Sequence, residues 1–104
     1  HFQQLLDEQF RSNHQVARYA GELGTTERKL AAITKEFLGL SPLQVIHNRM
    51  LLEAKRLLLF EQISHKEIAF QLGFDSPASF SLFIKNKTGY SPSELNLQLV
   101  NFHK

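Results

Sequence analysis

A chain of 104 residues, 42% apolar and 21% charged, suits one compact domain or two very small ones and is too apolar to be disordered. No apolar run approaches the ~20 residues of a helical membrane span, and the absence of cysteine excludes a disulfide framework and a thiolate metal site. Net charge is only +2, but residues 28–56 hold Arg28, Lys29, Lys35, Arg49, Lys55 and Arg56 against Glu36 and Glu53, so a local positive surface is expected there.

Alternating β-branched residues are nearly absent, whereas Leu, Ala, Glu, Lys and Gln recur at helical spacing, so the fold is expected to be all-α with about seven helices. The first helix is expected over 2–12, with Phe2, Leu5, Leu6 and Phe10 on one stripe and Ser12 or Asn13 as its stop. A short helix over 15–22, a break at Gly24 and a longer helix over 26–38 follow. Gly39 ends that helix, Ser41 caps the next, and Pro42 takes its first turn, where a missing N–H costs nothing. The helix over 42–60 offers Leu43, Ile46, Met50, Leu57 and Leu58 for burial and is long enough to join two units. From Ser64 the order returns: a helix over 65–72, Gly73, a cap at Asp75 or Ser76 with Pro77 behind it, a helix over 76–88, Gly89, then a last helix from Ser91 and Pro92 that frays before Lys104.

The two halves align. YAGELG (19–24) matches IAFQLG (68–73) at an offset of 49, and TERKLAAITKEFLGLSP (26–42) matches SPASFSLFIKNKTGYSP (76–92) at an offset of 50, so one residue is added in the second turn. Two copies are too few for a solenoid. The expected organisation is a first subdomain over 1–41, a linker helix over 42–62 and a second subdomain over 63–104.

A short helix carrying Ala, a Gly four residues later and a second helix with an apolar residue facing back form the pattern of a helix-turn-helix. Ala20 and Ala69 let the second helix cross closely, Gly24 and Gly73 take the turn, and Leu30 and Phe80 fill the angle between the helices. At about 100° per residue, Leu30, Ile33, Thr34 and Phe37 form the inner stripe of the first recognition-type helix, and Phe80, Phe83 and Ile84 that of the second. Arg28, Ala32 and Lys35 then face outward with Lys29 and Glu36 beside them; Ala78, Leu82 and Lys85 face outward with Ser79, Ser81 and Asn86. Thr26 and Ser76, where the two helices begin, complete the candidate DNA-contacting set. Arg28 has the chemistry to bond guanine bidentately, Ser79 to bond several base edges, and Ala32 or Leu82 to touch a thymine methyl. Lys35, Lys85 and Lys87 suit phosphates. A linker helix of about 18 residues spans roughly 27 Å, which with its flanking turns approaches the ~34 Å between successive major grooves on one DNA face.

Other chemistries find little support. His1, His14, His47, His65 and His103 lie at no metal-ligand spacing, and there is no Gly-rich phosphate loop, Ser/His/Asp trio or convergent carboxylate pair, so neither catalysis, a metal nor a cofactor is expected. The nine phenylalanines read as core plugs, and Lys55 and Arg56 as solvated or paired with Glu53.

LLEAKRLLLF (51–60), EIAFQLGFDSPASFSLFIKNKTGYSPSEL (67–95) and the first half resemble the linker helix and the two helix-turn-helix units of AraC/XylS-type transcription regulators. The resemblance implies two helix-turn-helix subdomains joined by a long helix, double-stranded DNA as partner, RNA polymerase as a further candidate partner, and a cytoplasmic location. It also implies an N-terminal effector-sensing or dimerisation domain, which fits an opening (HFQQLLDEQF) without an initiator Met. Ala32 and Leu82 stand where that family commonly carries arginine, and Thr34 and Ile84 where it commonly carries phenylalanine. A competing expectation is that these substitutions turn the fold toward protein–protein contact.

Overall fold

The computed structural model describes residues 1–102; His103 and the expected fraying before Lys104 lie outside the described residues. Among them are seven helices and no strand: α1 (Phe2–Gln9), α2 (Val16–Glu22), α3 (Glu27–Leu38), α4 (Pro42–Phe60), α5 (His65–Gln71), α6 (Pro77–Thr88) and α7 (Pro92–Phe102). They form two compact units that divide between Met50 and Leu51, within α4.

The repeated GxSP letters act through their hydrogen bonds. After α3, Gly39 adopts a φ of 70° and its N–H donates to the Lys35 carbonyl at 3.0 Å; after α6, Gly89 adopts 81° and donates to Lys85 at 2.8 Å. These are left-handed helix stops. The Ser41 hydroxyl then accepts from the Gln44 N–H at 3.2 Å while the Gln44 side chain accepts from the Ser41 N–H at 2.9 Å. Ser91 and Glu94 repeat this exchange at 3.2 and 2.8 Å. Both are capping boxes, each satisfying two N–H groups that a helix start leaves without an intrahelical partner. The Ser91 N–H, and after it the Ser91 hydroxyl, hold the Glu94 carboxyl below its ordinary range.

In the first unit Phe2, Leu6 and Phe10 of the α1 region, Tyr19 and Ala20 of α2, Leu30 of α3, and Val45, Ile46 and Met50 of α4 form the core. Phe2 meets Tyr19 edge to face, with centroids 5.5 Å apart. Arg49 lies over the Phe10 ring at 4.1 Å and donates to Asp7 at 2.8 Å, which holds the start of α4 to α1. Helix α1 stops at Gln9, short of the expected residue 12, because Asn13 takes over the chain's direction. Asn13 is buried; its side chain accepts from the Gln15 N–H at 3.1 Å, and its carbonyl accepts from the Tyr19 hydroxyl at 2.7 Å. Asn13, not Ser12, is therefore the stop.

The second unit buries Ala54, Leu57 and Leu58 of α4, Ile68, Ala69 and Leu72 of the α5 region, Phe80 and Ile84 of α6, and Leu95 of α7. Phe74 packs near Phe80 and Phe83, with centroid separations of 5.7 and 5.2 Å. Buried Glu53 accepts from Arg56 at 2.5 Å, and this bond is the first cause of the raised Arg56 pKa. Arg56 is thus paired, as expected.

Two expectations of burial fail. Leu43, in the first turn of α4, is exposed, since the buried side of that helix begins with Val45 and Ile46. Of the phenylalanines, Phe2, Phe10 and Phe80 are core plugs and Phe74 and Phe83 are half-buried, whereas Phe37, Phe60 and Phe70 are exposed. Phe60 ends α4, and Phe70 falls off the Ile68–Ala69–Leu72 side that α5 buries.

Burial, more than the nearby Glu22 carboxylate, pushes the Tyr19 hydroxyl up from 10.0 to about 12. The folded state thus favours the neutral phenol, a stabilising contribution that is whole below pH 10 and lost as pH rises toward about 12. Tyr19→Phe should lower stability at neutral pH by about 1 kcal/mol through the lost bond to Asn13. Denaturant titrations at stepped pH should then show the gap from wild type closing between pH 10 and 12; a constant gap would mean that Tyr19 does not titrate with unfolding.

Candidate nucleic-acid interface

Helix α2 packs on α3 and α5 on α6, each through the same turn. In the first turn the Thr25 N–H donates to the Ala20 carbonyl at 2.9 Å; in the second, the Phe74 N–H donates to Ala69 at 2.9 Å. Gly24 and Gly73 sit inside these bonds with φ of 68° and 81°, a region that costs a side-chain-bearing residue strain. An ideal Cβ on Gly24 would meet nothing within 4 Å, so glycine serves backbone conformation there rather than space. Thr25 pairs with Phe74 at offset 49 and Thr26 with Ser76 at offset 50, so Asp75 is the added residue.

Past each turn, a hydroxyl starts the second helix. Thr26 accepts from the Lys29 N–H at 3.1 Å, and Ser76 accepts from the Ser79 N–H at 3.1 Å. Of the two alternatives for the second cap, Ser76 is the one used. Leu30 and Thr34 are the buried residues of α3, and Phe80 and Ile84 those of α6. These pairs are equivalent at offset 50, so the two helices present equivalent outer faces.

On α3, Thr26, Arg28, Lys29, Ala32 and Lys35 are all exposed, with Arg28, Ala32 and Lys35 at the spacing of one helical face. On α6, Ala78, Ser79, Leu82 and Lys85 are exposed and Ser76 is half-buried in its capping role. Each group stands together on one helix of its own unit. The faces differ in charge: α3 carries Glu27 and Glu36 beside its three cations, whereas α6 carries Lys85 and Lys87 and no carboxylate. Both basic residues of α6, and Lys35 of α3, lie in the last turn, where the helix dipole favours a cation.

The inner stripe of α3 is narrower than expected. Ile33 is 50% and Phe37 76% exposed, correcting their assignment to the inside. Phe37 lies about one turn beyond Thr34, the last buried residue of α3, and both side chains border a groove of about 200 Å³ beside His1, Phe2 and Gln3. The residues that sequence reading missed are supports: Gln44 and Glu94 complete the capping boxes, a signal available in their three-residue spacing from Ser41 and Ser91. Among the described residues no group of histidines and carboxylates is placed to hold a metal, and no helix is long and apolar enough to cross a membrane.

Paired helix-turn-helix units of this geometry define a class, and comparison with known proteins agrees. Residues 19–98 match the family model described as a helix-turn-helix domain. The chain belongs to this family, the AraC-type helix-turn-helix domains of transcription regulators, which is not an enzyme family. It is 27% identical over 95 residues to the virulence regulon transcriptional activator VirF of Yersinia enterocolitica, an alignment covering 91% of this chain and 35% of VirF. The chain therefore spans about a third of that relative's length. The C-terminal domain of AraT, a response regulator from Geobacillus stearothermophilus, superposes with a TM-score of 0.84 at 26% identity, covering 93% of this chain and 81% of that one. The DNA-binding domain of the global transcriptional factor AdpA, solved in complex with a target DNA, shares the fold at a TM-score of 0.78 and 24% identity, covering 92% of this chain and 86% of that one.

Ser76→Ala removes the α6 cap and should cost about 1 kcal/mol, lowering the melting temperature by several degrees. Ser79→Ala leaves the cap in place and should melt close to wild type, and equal losses would show that the Ser76–Ser79 hydroxyl pair rather than the Ser76 cap alone holds the helix start.

Proposed function

We propose that this chain is the sequence-specific double-stranded-DNA-binding part of a transcription regulator, with α3 and α6 entering adjacent major grooves. The observation that carries this reading is the equivalence of the two outer faces: capped at Thr26 and Ser76, seated by residues 30 and 34 or 80 and 84, each helix leaves its 28/32/35 or 78/82/85 face to solvent. The target DNA bound by AdpA supports the same use of the fold. Arg28 reads guanine through its planar fork, Lys29, Lys35 and Lys85 neutralise phosphates, and the remaining outer residues touch base edges. On this reading residues 1–41 and 63–104 are the two helix-turn-helix subdomains and 42–62 the linker that spaces them. The regulator acts in the cytoplasm, an N-terminal domain senses an effector or dimerises, and RNA polymerase is a further partner. No enzymatic role is proposed.

Salt separates duplex reading from a protein-docking use of the same faces. Affinity for a bound duplex should fall steeply between low and physiological salt through counterion release, whereas contact through the exposed Leu82 would leave affinity nearly level. Arg28→Ala should cost ~1–3 kcal/mol and relax preference at one base pair, while Lys35→Ala should weaken binding to every sequence and lower the salt slope by ~1. Binding titrations over a salt series check both, and a salt-independent affinity would refute the proposal.

A further inference from the structure

The two outer faces are equivalent in position but not in chemistry. Arg28 and Lys29 of α3 correspond to Ala78 and Ser79 of α6, so the first turn of α6 has no cation to offer a base. Two side chains on the outer face of α6 stand out. Leu82 is 61% exposed, whereas Phe80, Phe83 and Ile84 of the same helix are buried or half-buried. Ser79 stands three residues earlier, which makes the two neighbours on the helix surface.

The cap decides what Ser79 can do. The Ser76 hydroxyl accepts from the Ser79 N–H at 3.1 Å and pairs with the Ser79 hydroxyl, the two oxygens 3.1 Å apart. With Ser76 as the donor of that pair, the Ser79 oxygen is the acceptor and its proton is left to donate outward. Beside it, Leu82 presents methyl groups that neither donate nor accept. One donor next to one apolar surface matches a single base: in the major groove thymine alone joins an acceptor, O4, to a methyl group, whereas guanine and adenine carry no methyl and cytosine offers a donor.

We infer that α6 reads a thymine, with the Ser79 hydroxyl donating to O4 and Leu82 packing on the C5-methyl. This rests on the duplex-reading function proposed above and makes the two half-sites unlike each other: guanine under α3, thymine under α6. Lys85 and Lys87, on a helix without carboxylates, supply the positive field that draws this face to DNA.

The test uses duplexes enriched from a random library by the protein, with each thymine replaced in turn by deoxyuridine, which deletes only the methyl. One replacement in the α6 half-site should weaken wild-type binding about fourfold, the loss for one methyl withdrawn from apolar contact. Leu82→Ala should lose a similar factor on the thymine duplex and show no further loss on the deoxyuridine duplex, because the two changes remove the same contact. Ser79→Ala should weaken binding yet keep the deoxyuridine penalty. Since Leu82 is exposed, its variant should melt like wild type, and a lowered melt would contradict its placement on a free outer face. If wild type tolerates deoxyuridine everywhere while still distinguishing the enriched duplex from a scrambled one, thymine reading is overturned and duplex reading stands. If it does not distinguish those two duplexes, the proposed function falls as well.

Discussion

Which side chains of α3 and α6 meet solvent depends on how each helix is rotated about its own axis, and four buried residues fix that rotation. Leu30 and Thr34 seat α3; Phe80 and Ile84 seat α6; each pair is spaced i, i+4 and each is nearly inaccessible to solvent. Turning either helix by one residue, about 100°, would expose its inner pair and bury a charged or polar residue, so the outer face is set by apolar burial on the opposite side. The four seats tolerate different sizes. Thr34 meets its polar requirement locally, its hydroxyl donating to the Ala31 carbonyl at 3.2 Å, and so takes an inner position without an unpaired group.

That seating depends on the turns before it and the stops after it. The bonds from Thr25 to Ala20 and from Phe74 to Ala69 close the turns with one geometry, although the second loop then carries the additional Asp75. Ser41 and Ser91 open the following helices with reciprocal side-chain and backbone bonds. None of these groups stands among the residues proposed to touch DNA. They define where α3 and α6 begin and end, and so which turn of each is presented.

The helix ends around the two GxSP stretches were legible in the sequence because they are decided over three or four residues. Glycine after the helix, serine at the next cap and proline behind it leave few alternatives, and the offset between halves checked each against its copy. The outer faces were legible for a related reason, since helical phase follows from spacing alone. Ile33 and Phe37 were misplaced because phase says which way a side chain points and not how far the neighbouring element extends to cover it. Asn13 was similarly ambiguous: its role as a stop depends on Tyr19, six residues away, reaching its carbonyl. The chemistry of the α6 face lay between these cases. Leu82 was visible as an outward apolar residue, but the pairing of the Ser79 hydroxyl with Ser76 at the cap was not.

The central claim is that two helices in one chain, seated alike but armed differently, read one duplex together. Selection of bound sequences from random duplexes by the protein addresses it most directly, because the number, spacing and identity of the enriched blocks are read without prior choice of a site. Two short blocks of different sequence, their centres about one helical turn or ~10 bp apart, are the predicted result. A single block with free sequence one turn away, or two identical blocks, would contradict it.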